Sequence, residues 1–241
     1  MLQLLLASAG VLFGAATQRT TGLGFALVAT PFLVLVLGPQ TGVTLGNLLS
    51  ASLCALVLTR TWRHLDVRRA ALLAVPALVV IPFGAYVVRT LPQSMLLVLV
   101  GGLAVVAMLL VAGSERAAVL RGRVGAVVAG ALSGFMNVTA GLGGPMITVH
   151  ALSERWEPAR FVATAQAYLL VVNCASLAAK GLPAIPLWTL AAAVVILLLG
   201  AVLGERVANR IDRRVAHRLV VVVALLGGLA AIVRGLLTAG D

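Results

Sequence analysis

Read for the spacing of apolar and polar positions, the chain divides into ten apolar segments, at about 2–17, 22–38, 41–59, 70–88, 93–112, 124–137, 141–152, 159–179, 186–204 and 215–233. None shows the strict alternation of a membrane β-barrel strand. An unpaired backbone in lipid costs several kcal/mol per group, so all ten are predicted as helices. A spanning helix needs about 20 residues at about 1.5 Å rise each, a length that segments three, four, five, eight, nine and ten meet. The pair 124–137 and 141–152 gives only about 21 and 18 Å by the same rise, and the pair that opens the chain is also short. Both pairs are therefore expected to be short or re-entrant broken helix pairs, hairpins that stop part-way through the bilayer, with the first pair open between re-entrant and fully spanning.

The segments repeat. Gly22-Leu23-Gly24 lies 119 residues before Gly141-Leu142-Gly143, and the same offset superimposes Pro39 on Pro158, Thr20 on Thr139 and Asn47 on Gln166. The halves also close alike, on Gly101-Gly102-Leu103-Ala104 and Gly227-Gly228-Leu229-Ala230, with about seven extra residues in the second. Five segments per half is an odd number, so the second half enters from the side opposite the first, which makes an inverted repeat. The expected organisation is one all-α polytopic membrane domain. Residues 1–112 form the first repeat, 113–123 a cytoplasmic connecting loop and 124–241 the second repeat.

Composition removes the soluble alternatives. Hydrophobic residues are 61% and charged residues 10%, against about 25% charged in a soluble domain. A net charge of +11 would suggest nucleic acid in a soluble chain, but here the arginines sit between apolar runs. They read as topology signals whose partners are lipid headgroups, with no nucleic-acid partner. Assigned alternately to the two sides, 15 basic residues fall on one side, and only Arg89, Lys180 and Arg234 on the other. The first side is expected to be cytoplasmic and both termini outside. The N-terminal run lacks the basic region of a signal peptide and is read as part of the membrane domain. Cys54 and Cys174 lie in apolar runs without a CxxC pattern and read as buried apolar side chains, not a metal site or a disulfide.

The candidate chemistry lies in two equivalent polar breaks, Thr17-Gln18-Arg19-Thr20-Thr21-Gly22-Leu23-Gly24 and Asn137-Val138-Thr139-Ala140-Gly141-Leu142-Gly143-Gly144-Pro145. Glycine lets backbone N–H groups approach a ligand, and a helix N-terminus carries about half a positive charge, so two facing breaks can bind an anion. Taken singly, each break also fits an ordinary helix turn with Thr and Asn caps. Duplication at one offset beside short segments favours a substrate site. Thr20 and Thr139 are candidate hydroxyl donors. Arg19 either marks the cytoplasmic interface or sits deeper as the anion's counter-charge; its repeat mate is Val138. Asn47 and Gln166 are either flanking amides of the site or helix-to-helix hydrogen bonders. Asn173 and His150 are further candidates for substrate contact or coupling.

All seven acidic residues fall in connections, at helix ends or at the terminus. That disfavours a carboxylate proton relay, a cationic substrate and intramembrane hydrolysis, so neither an enzyme nor a cofactor is expected. H⁺ and Na⁺ both stay open as coupling ion, and small-residue faces leave the oligomeric state unread.

The runs GLGFALVATPFLVLVLGP and GLGGPMITVHAL, the downstream Pro158 and the GlyGly segments closing each half resemble the sulfite exporter TauE/SafE family of bacterial membrane transporters. The resemblance covers nearly the whole chain, and its specificity comes from order, spacing and duplication. It implies a secondary transporter, an exporter, of small anions such as sulfite, sulfoacetate or other organosulfonates and carboxylates in a bacterial cytoplasmic (inner) membrane. It also implies that the paired re-entrant elements form the site, on Gly22, Gly24, Gly141, Gly143 and Gly144. Phe25 and Ala26 stand where the second half has Gly144 and Pro145, a departure from symmetry. The alternative reading is a non-transporting scaffold or accessory subunit.

Overall fold

The computed structural model describes residues 2–21, 24–113, 120–208 and 213–239. They form α1 (Leu2–Thr21), α2 (Gly24–Leu37), α3 (Pro39–Thr61) with a 3-10 turn (Trp62–His64), α4 (Val67–Thr90) and α5 (Gln93–Gly113). The second half follows with α6 (Gly122–Ala140), α7 (Gly144–Ser153), α8 (Pro158–Lys180), α9 (Leu187–Ala208) and α10 (Arg213–Leu237). Seven of the described helices are long and apolar enough to cross a membrane: α3 to α6 and α8 to α10. Pro39 and Pro158, the offset pair, each stand in the first turn of their helix, where the missing N–H has no intrahelical partner to lose.

The short pairs need correction. α6 has 19 residues and α1 has 20, so only the second helix of each pair is short: α2 with 14 residues and α7 with 10. The polar residues read as a break continue α6 instead. The Thr139 hydroxyl donates to Phe135 O of its own helix at 2.6 Å, and the Asn137 amide finds partners on α8, so the helix carries both into the interior. It stops where Gly141 takes the left-handed conformation, φ 72°, and its N–H bonds Asn137 O at 2.9 Å. At about 15 Å by rise, α7 falls well short of a bilayer.

Glycines set the helix seams. A methyl on Gly130 would lie 2.2 Å from Leu73 O, and one on Gly134 2.7 Å from Ala77 Cα, so α4 and α6 approach backbone to backbone. Gly200 and Gly204 press in the same way on Leu12 and Ala16 between α9 and α1, and Gly101 meets Gly228 between α5 and α10. α3 packs along α8 in the middle of the molecule. The α3 span is 67% buried and that of α9 only 22%, so α3 is a central helix and α9 presents most of its apolar side chains outward, as lipid contact requires.

Arg89, Lys180 and Arg234 each donate to a carbonyl in the last turn of another helix: Ala179 O of α8, Val138 O of α6 and Leu35 O of α2. A cation there satisfies an orphan carbonyl and complements the negative end of the helix dipole. Cys54 is buried as expected; Cys174 is exposed, because it lies on the face of α8 turned away from the core.

Candidate functional site

The α6–α7 turn is built by hydrogen bonds that leave α7 open at its start. Leu142 N–H bonds back to Met136 O at 3.1 Å, and the Ser133 hydroxyl holds Gly143 O at 2.5 Å. No side chain caps the N-terminus of α7, so its first amides are available to a ligand. Asn137 is the hub behind them: its Nδ2 donates to Asn173 Oδ1 and to Ser176 Oγ, both at 3.1 Å on α8. In the first half, Gln18 near the end of α1 accepts the Phe25 N–H of α2 at 3.0 Å through Oε1, and its Nε2 donates to Gln166 Oε1 at 3.4 Å. Gln18 thus occupies one of the free amides of α2 and ties that turn to α8.

Residues that flank the first break and those of the α6–α7 turn line one cavity of about 20 Å³. Its wall takes Gln18 from α1, Phe25 and Ala26 from α2, Ser50, Leu53 and Cys54 from α3, Asn137 and Gly141 from the end of α6, Gly143 and Gly144 from the start of α7, and Leu169 and Asn173 from α8. That volume holds about one water. No acidic side chain lines it, so its polar surface is amide, hydroxyl and backbone, a set suited to a small anion and lacking a nucleophile paired with a base.

Of the residues singled out in the sequence, Asn137, Gly141, Gly143, Gly144 and Asn173 meet in this wall. Gln166 joins it through Gln18, and Gly24 is buried at the start of α2. Asn47 is buried beside the α6 end: oriented to satisfy both ends of its amide, it donates from Nδ2 to Val43 O and accepts at Oδ1 from Lys180 Nζ, each at 3.3 Å. The reverse orientation brings Nδ2 to 3.4 Å from Asn137 O but sets a donor against the Lys180 ammonium. Thr139 is buried against Gly84 of α4 and not in the cavity wall. His150 lies at the far end of α7, its Nδ1 2.8 Å from Leu120 O and its ring edge-on to Trp156 at 5.6 Å. Gly22 and the side chains of Arg19 and Thr20 lie outside the described residues.

The sequence left four contributors unassigned. Gln18 lies inside the first polar break, among charged and hydroxyl neighbours with the stronger signal. Ser50 was visible as a polar position in an apolar helix. Lys180 gives only a topology signal in the sequence. Thr30, 1% exposed on α2, keeps a buried hydroxyl without a hydrogen-bond partner, and a methyl on Gly141 would come within 3.1 Å of it.

A family model described as Sulfite exporter TauE/SafE matches residues 6–231 of the 241. Comparison with curated proteins found no match, and neither did comparison with solved structures. The family match runs from α1 into α10 and takes in every residue of the cavity wall, so this multi-pass membrane protein belongs to the sulfite exporter TauE/SafE family.

Proposed function

We propose that the protein is a secondary transporter that exports small sulfur-containing or carboxylate anions, such as sulfite, sulfoacetate and other organosulfonates, by alternating access. The observation that carries this reading is that Gln18, Phe25 and Ala26 of the first half meet Asn137, Gly141, Gly143 and Gly144 of the second around one cavity with no carboxylate in its wall. The short helices α2 and α7 start there and direct their positive ends toward the ligand. A cavity of about 20 Å³ is too small for the four heavy atoms of sulfite, so binding requires the turns to part, as a site alternating between two openings must.

The packing supports two related halves. α4 lies on α6 as α9 lies on α1, α2 meets α10 as α7 meets α5, and α3–α8 and α5–α10 map onto themselves when the halves are exchanged. With five helices per half and 15 of 18 basic residues assigned to one side, we place the repeats in inverted orientation with both termini outside a bacterial inner membrane. The coupling ion is H⁺ or Na⁺, and no cofactor takes part.

The test is flux into proteoliposomes of labelled sulfite, sulfoacetate, acetate, phosphate and one organic cation, with and without pH and Na⁺ gradients. Saturable flux of a sulfur oxyanion or sulfonate is expected, driven by one of the two gradients. Folded protein that moves no anion refutes the reading in favour of the scaffold.

A further inference from the structure

Lys180 closes α8 and turns its ammonium toward the protein: Nζ donates to Val138 O at 2.8 Å and to Asn47 Oδ1 at 3.3 Å. Arg89 and Arg234 make the same kind of carbonyl contact, but at exposed positions. Lys180 is half-buried, and the helix end it holds is the one that turns at Gly141 into the cavity wall. Among the described residues no carboxylate pairs with it.

A helical hairpin cancels its own field at the tip. α6 ends there with about half a negative charge and α7 begins there with about half a positive one, a few residues apart. An anion drawn to the α7 amides is therefore repelled by the neighbouring α6 carbonyls. A fixed ammonium on Val138 O neutralises the α6 end and leaves the α7 end unopposed.

We infer that Lys180 is the fixed counter-charge that makes the α6–α7 turn attractive to a small oxyanion, acting through Val138 and Asn47. Lys180 does not line the cavity, so it is a positioning residue that sets the field and does not touch the ligand. The inference rests on the anion site proposed above and assigns a selectivity role to a residue that topology alone explains as an interfacial charge. A plain helix cap would need only a donor to Val138 O; anion selectivity needs the charge.

The experiment measures KM and kcat for labelled sulfite and acetate in proteoliposomes at neutral pH, where sulfite is divided between its singly and doubly charged forms, with thermal unfolding followed in parallel. For Lys180→Gln, KM for sulfite is expected to rise about tenfold, within what a charge at a partly buried helix end contributes, and KM for singly charged acetate to rise less. Lys180→Arg is expected to keep KM near that of the wild type. Asn47→Asp sets a carboxylate against Nζ and neutralises the ammonium without removing it, so it should repeat the rise even if the Gln variant folds poorly. Wild-type protein that moves neither anion overturns the transport reading itself. Wild-type flux with unchanged KM in both neutralised variants, or with equal changes for sulfite and acetate, overturns the role of Lys180 alone.

Discussion

Gly143→Ala adds one methyl in the wall of the proposed site, and the structure isolates its effect. Gly143 has φ −73° and ψ −24°, which alanine adopts freely, so the backbone carries no strain. The added Cβ would stand 2.9 Å from Asn137 Oδ1 and 2.9 Å from Leu169 Cδ2, where ordinary contact begins at 3.4 Å, so each must retreat by about 0.5 Å. Asn137 cannot rotate away cheaply, because its Nδ2 is held by Asn173 and Ser176 at 3.1 Å each. Overpacking of this kind costs about 1–3 kcal/mol, offset by about 0.4–1 kcal/mol because alanine at compatible φ and ψ loses less chain entropy on folding than glycine. The net loss of about 1–2 kcal/mol should appear as a modest fall in unfolding temperature in detergent. Function should suffer more: a 1 Å displacement of a positioned group can cost about 10²-fold, so half that displacement implies about a tenfold fall in kcat/KM for sulfite. Gly102→Ala, where a methyl meets nothing within 4 Å, is the control and should leave flux unchanged. If Gly143→Ala transports sulfite with wild-type KM and rate, Gly143 does not shape the site and the cavity assignment fails.

Gly141→Ala and Gly122→Ala both place a side chain at positive φ, 72° and 68°, and each should lose about 1–2 kcal/mol in thermal unfolding. Only at Gly141 does the methyl meet Thr30 and Asn47, so only that variant should lose anion flux; equal flux in the two would remove Gly141 from the site. Gln18→Leu strips the acceptor from the Phe25 N–H and should cost about 1–3 kcal/mol. Gln18→Glu keeps an acceptor but puts a carboxylate in the wall, so it should be the more stable of the two and the poorer anion transporter; the opposite order of KM would contradict an anion site. Thr30→Val replaces an unpartnered hydroxyl with a methyl of similar size and should raise stability by about 1 kcal/mol, read as a higher midpoint; a clear loss would mean that the hydroxyl has a partner in the folded protein.

The ten helices were legible because membrane insertion is decided largely by summed hydrophobicity, which is a property of the linear chain. The second halves of the hairpins were also legible: Gly24 and Gly144 begin the short helices α2 and α7. The first halves were not, because a run of Asn, Val, Thr and Ala reads as a break when polarity is counted. In the folded protein Thr139 feeds its hydroxyl back to Phe135 O and Asn137 reaches α8, so both polar side chains are satisfied without ending the helix. His150 shows the converse. It shares the segment of Gly141 and Gly143 in the sequence, yet its hydrogen bond to Leu120 O anchors it at the other end of α7.

What the chain by itself determined is its solvent, its helices, the positions where glycine interrupts them and the near absence of acidic groups between them. Each follows from residue type and local spacing. What only the tertiary structure decided is which side chains share a cavity. Gln18 on Phe25 N–H, Asn137 on Asn173, and Lys180 on Val138 O are joined across 7, 36 and 42 residues of chain. The glycine seams fix how α6 lies on α4 and α1 on α9, and a change of either would send the polar side chains of α1 and α6 to different partners.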